Sequence, residues 1–476
     1  MGLMESIRTA QASLGVIARQ TALVSDNVAR ASDEGYARRE APAVTDVRGV
    51  RTARTRRAEA SALDAAALAA RSSEAAARAK ADPLERARAL FGGIDAETSP
   101  AALIASLKEG LQRFASEPSS VAAGTAAVES ARSLVTGLNE AARGIAETRG
   151  IATRELERSA NDLRELTERF GNANATVVAL RRQGRDASDA EEARAGILRE
   201  IADIVEVHVR ERGHGDQVLL AGSRGGPVLF ETVPRPIEFQ LGPTSPDGFI
   251  VVDGTTLSKL SGGRIGGTLA YRDTVAPVVA DQLDAIAEAL IETFADRDPT
   301  GTQPPVAGVF TDPSVAPPVL ATTDGLAGRI ALNPAFDPNG GDPSALRDGL
   351  PGGPASGRNP TNAPGYAELL IERIEGIDTS RAFVPSLGLG ATVSLATAAS
   401  EQLGWLDGER SRAETARGSA QAAHERARTL RSNATGVNID EEMARLLDLE
   451  TSYRASTRVI AAADAMLAEL LRMVDR

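Results

Sequence analysis

The sequence contains no cysteine and few aromatic residues. Of its 476 residues none is Cys, and Phe, Trp and Tyr together make up 3%. The lack of cysteine excludes disulfides, thiol catalysis and zinc–thiolate sites, and it is expected of a chain that works outside the cell without a folding oxidant. Alanine and aliphatic residues carry most of the 42% hydrophobic share, which favours slender helical packing over an aromatic-rich enzyme core. A GC-rich genome would also give such an Ala- and Arg-rich, Lys-poor composition.

Basic residues are fewer than acidic ones, 53 against 65. The formal net charge is −12 and the sequence pI about 5.1, so phosphate backbones repel the chain and no nucleic-acid partner is expected. The one basic cluster has no aromatic neighbour that could stack on a base. It consists of Arg48, Arg51, Arg54, Arg56 and Arg57. We interpret this cluster as a solvated linker, with a subunit contact as the alternative.

Long apolar runs are absent. No stretch approaches the ~18 apolar residues that a membrane-spanning helix needs, so no membrane partner is expected. Residues 1–30 mix charged with apolar positions instead of forming the unbroken apolar core of a secretory signal peptide. If the protein is extracellular, it is expected to leave the cell by another route, without a cleaved signal.

The last forty residues carry a long heptad pattern. An apolar or aromatic residue returns at every seventh position: Ile439, Leu446, Tyr453, Ile460, Leu467 and Val474. This spacing predicts one face of a long helix. Asn438 can cap its start, Glu441 stands where a capping box needs it, and Asp440 to Glu442 suit the positive helix end.

The first thirty residues carry a matching pattern. Alternating spacings of four and three place residues on one seam: Leu3, Ile7, Ala10, Leu14, Ile17, Thr21, Val24, Val28 and Ala31. This narrow stripe is typical of a coiled coil. We expect the two terminal helices to pack on one another or on copies in neighbouring chains.

The middle of the chain changes character twice. Helical patterns are predicted at 61–80, at 119–170 ending at Gly171, and at 188 to about 208. Breaks in the helical pattern are predicted at Pro83, at Gly92-Gly93 and at Pro100. Short β-prone runs then follow at 218–220, 228–230, 237–240 and 249–252, with Asp-Gly turn signals at 247 and 253. A glycine-rich turn at 262–267 is expected to join this β insertion to a helix running to Phe294.

A proline-rich stretch separates this part from the last helices. Residues 299–364 hold 13 of the 24 prolines, which predicts loop with a strand at 329–332. Helices resume at 366 and run from about 393 to 431. The predicted fold class is mainly α with a β insertion, in which both termini form a long antiparallel bundle or coiled coil. The predicted segments are 1–45, 46–212, 213–262, 263–298, 299–364, 365–435 and 436–476.

Nothing in the sequence assembles a catalytic or metal site. The histidines are His208, His214 and His424; the first two bracket a predicted surface turn, and the third is expected to be exposed on a helix. Residues 221–225 fail the nucleophile-elbow pattern, and 262–267 lack the Lys-Ser/Thr pair of a phosphate loop. The carboxylate pairs at 191–192 and 441–442 are explained by helix dipoles. We therefore predict no catalytic, cofactor-binding or metal-binding residue.

Both ends resemble one protein family. At the start, Gln11 to Leu14, Asp26 to Ala29 and Gly35 to Arg39 are similar to the N-terminal signature of bacterial flagellar rod, hook and hook-associated proteins. At the end, Thr435 to Glu442, Tyr453 and Arg458 to Ile460 resemble the C-terminal helix of the same family. Residues 32–34 are Ser-Asp-Glu, where the family usually has Asn-Thr-Pro.

The block from 262 to 290 narrows the resemblance. Its Gly-Gly, its Arg272-Asp273 and the helix after them resemble the hook-associated protein 1 family more than flagellin or hook-associated protein 3. The resemblance implies a structural, non-enzymatic flagellar protein at the hook–filament junction, whose terminal helices fold on assembly. The implied partners are copies of itself in a ring or tube, hook protein, hook-associated protein 3 and an export chaperone, and the implied exit is type III export. The alternatives are a flagellin or hook-associated protein 3 type, or a ligand-binding or enzymatic module on the β insertion and the loop region.

The expected assembly surface consists of residues from both terminal helices: Leu3, Ile7, Leu14, Ile17, Val24, Val28, Ile439, Leu446, Tyr453, Ile460, Leu467 and Val474.

Overall fold

The computed structural model of the chain describes residues 3–33, 35–46, 49–52, 55–92, 97–242, 247–314 and 324–474. The helices are α1 Leu3–Ala29, α2 Ser61–Leu90, α3 Pro100–Ser116, α4 Val121–Arg182, α5 Ser188–Ile204, α6 Gly263–Ala270, α7 Ala276–Thr293, α8 Ala345–Asp348, α9 Glu368–Asp378, α10 Leu395–Thr435 and α11 Ile439–Val474. A π-helical turn, Tyr271–Val275, joins α6 to α7. The predicted fold class, mainly α with a β insertion, is confirmed.

The strands are short and pair antiparallel. They are β1 Arg39–Glu40, β2 Ala43–Asp46, β3 Gly49–Thr52, β4 Arg56–Arg57, β5 Val207–Glu211, β6 Gln217–Ala221, β7 Val228–Phe230, β8 Ile237–Gln240, β9 Phe249–Val252, β10 Thr255–Thr256, β11 Phe310–Thr311, β12 Ala331–Leu332, β13 Arg381–Ala382 and β14 Thr392–Val393. The β insertion forms two three-stranded sheets, β5-β6-β7 and β10-β9-β8. All four predicted β runs are strands, and Asp253-Gly254, both at positive φ, make the predicted turn before β10.

The chain divides into two compact units. The first contains Met1–Ala76, Glu157–Gly266 and Gly418–Arg476, and the second contains Ala77–Leu156 and Gly267–Arg417. The second unit has a continuous apolar core in which Leu134, Phe294, Phe310 and Phe336 are fully buried. The segment boundaries predicted above remain a prediction.

The predicted break of α2 at Pro83 was wrong. The helix continues to Leu90 with Pro83 in its interior, although an interior proline removes a hydrogen bond and costs ~3 kcal/mol. Leu84, Ala87 and Phe91 follow at helical spacing and are almost completely buried in the core. The apolar area that they remove from water offsets the lost hydrogen bond.

The predicted stop of α4 at Gly171 was also wrong, since the helix runs on to Arg182. The rings of Phe170 and Phe230 meet edge to face with centroids 5.3 Å apart. A Cβ on Gly171 would stand 2.9 Å from the Phe230 ring. The glycine therefore makes room for Phe230 within a continuous helix.

Other expectations needed smaller corrections. Helix α5 ends at Ile204, because residues 207–211 leave it to pair with β6. Gly266 and Gly267 lie inside α6, so only the start of the predicted glycine turn is a turn. Helix α3, which begins at a capping Ser99, was not predicted.

The proline-rich stretch contains more structure than a loop. Strands β11 and β12 pair, which confirms the predicted strand in part, and α8 is a short helix where none was expected. The carboxylate of Asp284 on α7 accepts hydrogen bonds from the backbone N–H groups of Gly325 and Ala327, at 2.7 and 2.8 Å. These bonds and the burial of Leu326 and Phe336 fix the stretch to the core.

Candidate assembly interface

Helices α1 and α11 lie antiparallel against each other, as expected for the two termini. The hydroxyl oxygens of Ser13 and Ser456 are 3.5 Å apart, and the side chains of Asn27 and Glu442 are hydrogen-bonded at 3.1 Å. The contacts thus move toward the start of α11 as they move toward the end of α1. The two terminal segments with heptad patterns therefore form the two helices of one pair.

The inner seam of this pair is apolar and close to the predicted one. On α1 the buried members are Ala10, Ile17 and Val24, and on α11 the buried member is Ala463. The half-buried members are Ile7, Leu14 and Val28 on α1 and Leu446, Leu449, Ile460 and Leu467 on α11. Their alternating spacings are those of a coiled-coil seam.

One buried polar cluster lies beside the seam, and we call it the Asn27 node. The side chain of Asn27 is 0% exposed. Its Oδ1 accepts from the Tyr36 hydroxyl at 2.7 Å and from the Arg39 backbone N–H at 3.0 Å. Its Nδ2 donates to the Arg39 carbonyl at 3.0 Å and to the Glu442 carboxylate at 3.1 Å. All four hydrogen-bonding positions of the amide are therefore occupied.

Charged groups surround the Tyr36 side of the node. The guanidinium groups of Arg39 and Arg30 lie 5.1 and 5.5 Å from the centre of the Tyr36 ring. Arg39 Nη2 lies 2.7 Å from the carboxylates of both Asp189 and Glu192, near the start of α5. Burial raises the pKa of the Tyr36 hydroxyl, although the charges of the two arginines act to lower it. Burial lowers the pKa of Arg39, but the carboxylates outweigh it and leave that pKa raised.

The turn between α10 and α11 is tied to the same region. The backbone N–H of Arg38 donates to the Thr435 carbonyl at 2.8 Å, and its guanidinium lies 3.2 Å from the Glu441 carboxylate. Asn438 caps α11 as predicted, accepting from the N–H groups of Asp440 and Glu441 at 3.0 and 3.4 Å. The predicted capping-box role of Glu441 is replaced by its ion pair with Arg38.

Helix α11 also carries large apolar side chains that stay about half exposed, and we call them the outer face. Each is between 46% and 62% exposed: Ile439, Met443, Leu447, Tyr453, Val459, Met466, Leu470 and Met473. At about 100° per residue, Ile439, Met443 and Leu447 form a first stripe, and Val459, Met466, Leu470 and Met473 form a second stripe. The two stripes flank the side of α11 that contacts α1.

The predicted assembly residues therefore fall into two groups. Most lie on the inner seam: Ile7, Leu14, Ile17, Val24, Val28, Leu446, Ile460 and Leu467. Ile439 and Tyr453 are about half exposed and belong to the outer face. The side chains of Leu3 and Val474 lie outside the described part of the structure. Whether these residues contact other chains stays a prediction.

Sequence reasoning did not assign the node. Asn27, Tyr36 and Arg39 were noticed only as a family signature, and Glu442 and Glu192 were attributed to helix dipoles. The structure gives them specific partners instead. The α1 repeat gave no signal for it, because the seam position in that turn is Val28 and Asn27 is its neighbour.

The basic cluster and His424 also differ from expectation. Arg51 lies in β3, and Arg56 and Arg57 form β4, which pairs with β1; these residues are therefore in strands rather than a linker. Arg48 and Arg54 lie outside the described residues. His424 is only partly exposed, and its Nδ1 contacts the Glu74 carboxylate.

A groove in the proline-rich stretch bears on the alternative of a ligand-binding or enzymatic module. It measures about 740 Å³. Its lining includes Gln303, Val306, Asn333, Leu350 and Pro351, and none of the described residues that line it is titratable. Across the described ranges, no three His, Asp or Glu side chains are grouped as metal ligands, and no helix combines the length and apolarity that crossing a bilayer requires.

Comparison with known proteins gives two matches to family models. Residues 86–303 match the model of the flagellar hook-associated protein FlgK helical domain. Residues 431–473 match the model of the flagellar basal body rod FlgEFG protein C-terminal region. No curated protein matches the chain.

Among solved structures, the chain is similar to the flagellar hook junction protein FlgK from Burkholderia pseudomallei. The two share 18% identity with a TM-score of 0.45, over 52% of this chain and 46% of that one. The match thus spans less than half of that structure's length.

Proposed function

We propose that this chain is a structural subunit of the junction between hook and filament. It belongs with the flagellar hook-associated proteins by its FlgK helical domain and its rod-type C-terminal segment. The observation that carries this proposal is the outer face of α11. Soluble chains rarely leave large apolar side chains in rows, and such rows mark interaction surfaces.

The two stripes of the outer face suit self-assembly into a ring or tube. A subunit in a ring or tube contacts one neighbour on each side through different surfaces. The first stripe contains Ile439 and lies on one flank of the α1 contact. The second stripe contains Met466 and lies on the other flank. Each stripe can therefore take a separate neighbouring helix.

Ordering of the terminal helices is coupled to this assembly. Most of α11 is exposed in the single chain, and a helix with few packed neighbours is marginal in water. Burying the outer face contributes ~25 cal/mol per Å² of apolar area. Docking on neighbours therefore supplies the free energy that completes the order of the helix pair.

The expected partners follow from the junction role. On the hook side the partner is hook protein, and on the filament side it is hook-associated protein 3. Before export, an export chaperone would cover the same apolar stripes. The resulting location is the extracellular flagellum.

A charge placed on the second stripe tests the proposal. The double variant Met466→Asp, Leu470→Asp puts two carboxylates on the outer face without touching the inner seam or the core. It should fold normally, with an unchanged circular dichroism spectrum, but incorporation into isolated hooks should fall at least tenfold. The matched control is the double variant Thr451→Asp, Ala462→Asp, which changes two exposed α11 positions that lie between the two stripes. Normal incorporation of the double variant would contradict the proposal.

A further inference from the structure

The methionines of this chain are distributed unusually. The sequence has five, and the four in the described ranges are Met4 on α1 and Met443, Met466 and Met473 on α11. Their exposed fractions are 58%, 46%, 56% and 62%. Methionine is ordinarily among the more buried residue types and a common filler of cores. Within the described residues, none of the buried core positions of this chain is a methionine.

Three of these thioethers occupy the outer face. Met443 belongs to the first stripe, and Met466 and Met473 belong to the second. Both stripes therefore contain a thioether side chain that is about half exposed in the single chain. The chain has no cysteine, so no thiol of its own would react with a peroxide before these thioethers do.

The chemistry of such a sulfur is simple. A peroxide transfers one oxygen atom to the thioether, forming the S=O bond of a sulfoxide while its O–O bond breaks. The sulfur is oxidised by two electrons, and the reduced peroxide leaves as water or an alcohol. The product is polar and chiral, disrupts methionine-rich interfaces, and is returned to the thioether by methionine sulfoxide reductases.

We propose that Met443, Met466 and Met473 form an oxidation site that controls the assembly competence of the chain. As thioethers they are apolar and adaptable, and they complete the two stripes. As sulfoxides they place polar oxygens where a neighbouring helix must dock, and burying those oxygens without partners is unfavourable. Once assembled, the same sulfurs are covered and react slowly. This inference rests on the proposed function of the outer face.

The test compares peroxide-treated chains. Purified chain is exposed to hydrogen peroxide, oxidation at each methionine is measured by peptide mass spectrometry, and incorporation into isolated hooks is counted. The triple variant Met443→Leu, Met466→Leu, Met473→Leu keeps the stripes apolar at similar volume. Met4→Leu is the matched control, since it removes an exposed thioether outside the outer face.

The expected result has three parts. The three α11 methionines of the soluble chain oxidise at rates within about tenfold of free methionine, as exposed thioethers should. Treatment lowers incorporation of the wild type and of Met4→Leu at least tenfold. Incorporation of the triple leucine variant is unchanged by treatment and equals that of the untreated wild type.

Several outcomes would overturn the inference. In one, the wild-type chain carries sulfoxide at all three positions and still incorporates as well as the untreated chain. Another is a triple leucine variant that loses as much incorporation on treatment as the wild type. Failure of untreated wild type to incorporate is a different result, because it overturns the proposed function and this inference with it.

Discussion

At the scale of single residues, the Asn27 node explains why these residue types stand at these positions. A buried amide is costly unless all its hydrogen bonds are made, and here Tyr36, Arg39 and Glu442 make them. Only one register of α1 against α11 brings Asn27 to Glu442. The resemblance identified most of these residues, but their mutual bonds depend on the fold and could not be predicted from the sequence.

Replacing the amide tests this role. Asn27→Ala leaves the Tyr36 hydroxyl, the Arg39 N–H and the Glu442 carboxylate each without one partner, at a cost of ~1–3 kcal/mol. Because the helix pair must order when it docks, incorporation into isolated hooks should fall by roughly tenfold to a hundredfold. The control is Asn433→Ala on the exposed side of α10. Equal incorporation by the two variants would show that the node does not hold the pair.

A second prediction at this scale concerns pH and Tyr271. The hydroxyls of Tyr271 and Thr148 are 2.6 Å apart, and burial raises the Tyr271 pKa above the usual 10.0. Above pH 10 the unfolded tyrosine ionises first, so the folded state binds more protons and the free energy of unfolding falls as pH rises. Below pH 10 this contribution is complete.

Chemical denaturation between pH 9 and pH 11.5 measures this pH dependence of the free energy of unfolding. The decline of unfolding free energy should be shallower in Tyr271→Phe than in the wild type. Identical slopes would contradict a raised Tyr271 pKa.

At the scale of elements, periodicity predicted most helices, and tertiary packing decided where they continue. The terminal helices, α4 and the four strands of the β insertion follow from spacing and turn residues alone. Pro83 and Gly171 are breakers by local rules, yet both lie inside helices. What overrides them is contact with residues distant in sequence, such as Phe230 beside Gly171, and that contact is invisible in a local pattern.

Two glycine-to-alanine changes should have opposite effects. In Gly171→Ala the new Cβ would press on the buried Phe230 ring, at 2.9 Å. Overpacking costs ~1–3 kcal/mol, and helix propensity returns only ~1 kcal/mol, so a net loss of about 1 kcal/mol is expected. In Gly418→Ala on α10, where nothing lies within 4 Å of the new Cβ, a gain of ~0.5–1 kcal/mol is expected. Thermal unfolding midpoints measure both, and a stabilised Gly171→Ala would show that the Phe230 contact is loose.

At the scale of the whole molecule, the sequence predicted the fold class and the pairing of the two termini. It did not separate the apolar residues of α11 that pack on α1 from those that face outward. Ile439 and Tyr453 belong to the same heptad pattern as Ile460, and only the structure shows that they stay about half exposed. The structure of the proline-rich stretch was equally hidden, because Asp284 reaches it across about forty residues of chain.

The most direct test of the account is amide hydrogen exchange, measured on the chain alone and on the chain assembled onto isolated hooks. In the chain alone, the amides of α1 and α11 should exchange much faster than those of α4 between 121 and 170, with the C-terminal half of α11 fastest. After assembly, both terminal helices should become as protected as α4. Terminal helices that are already as protected as α4 in the soluble chain would contradict the claim that they order on docking.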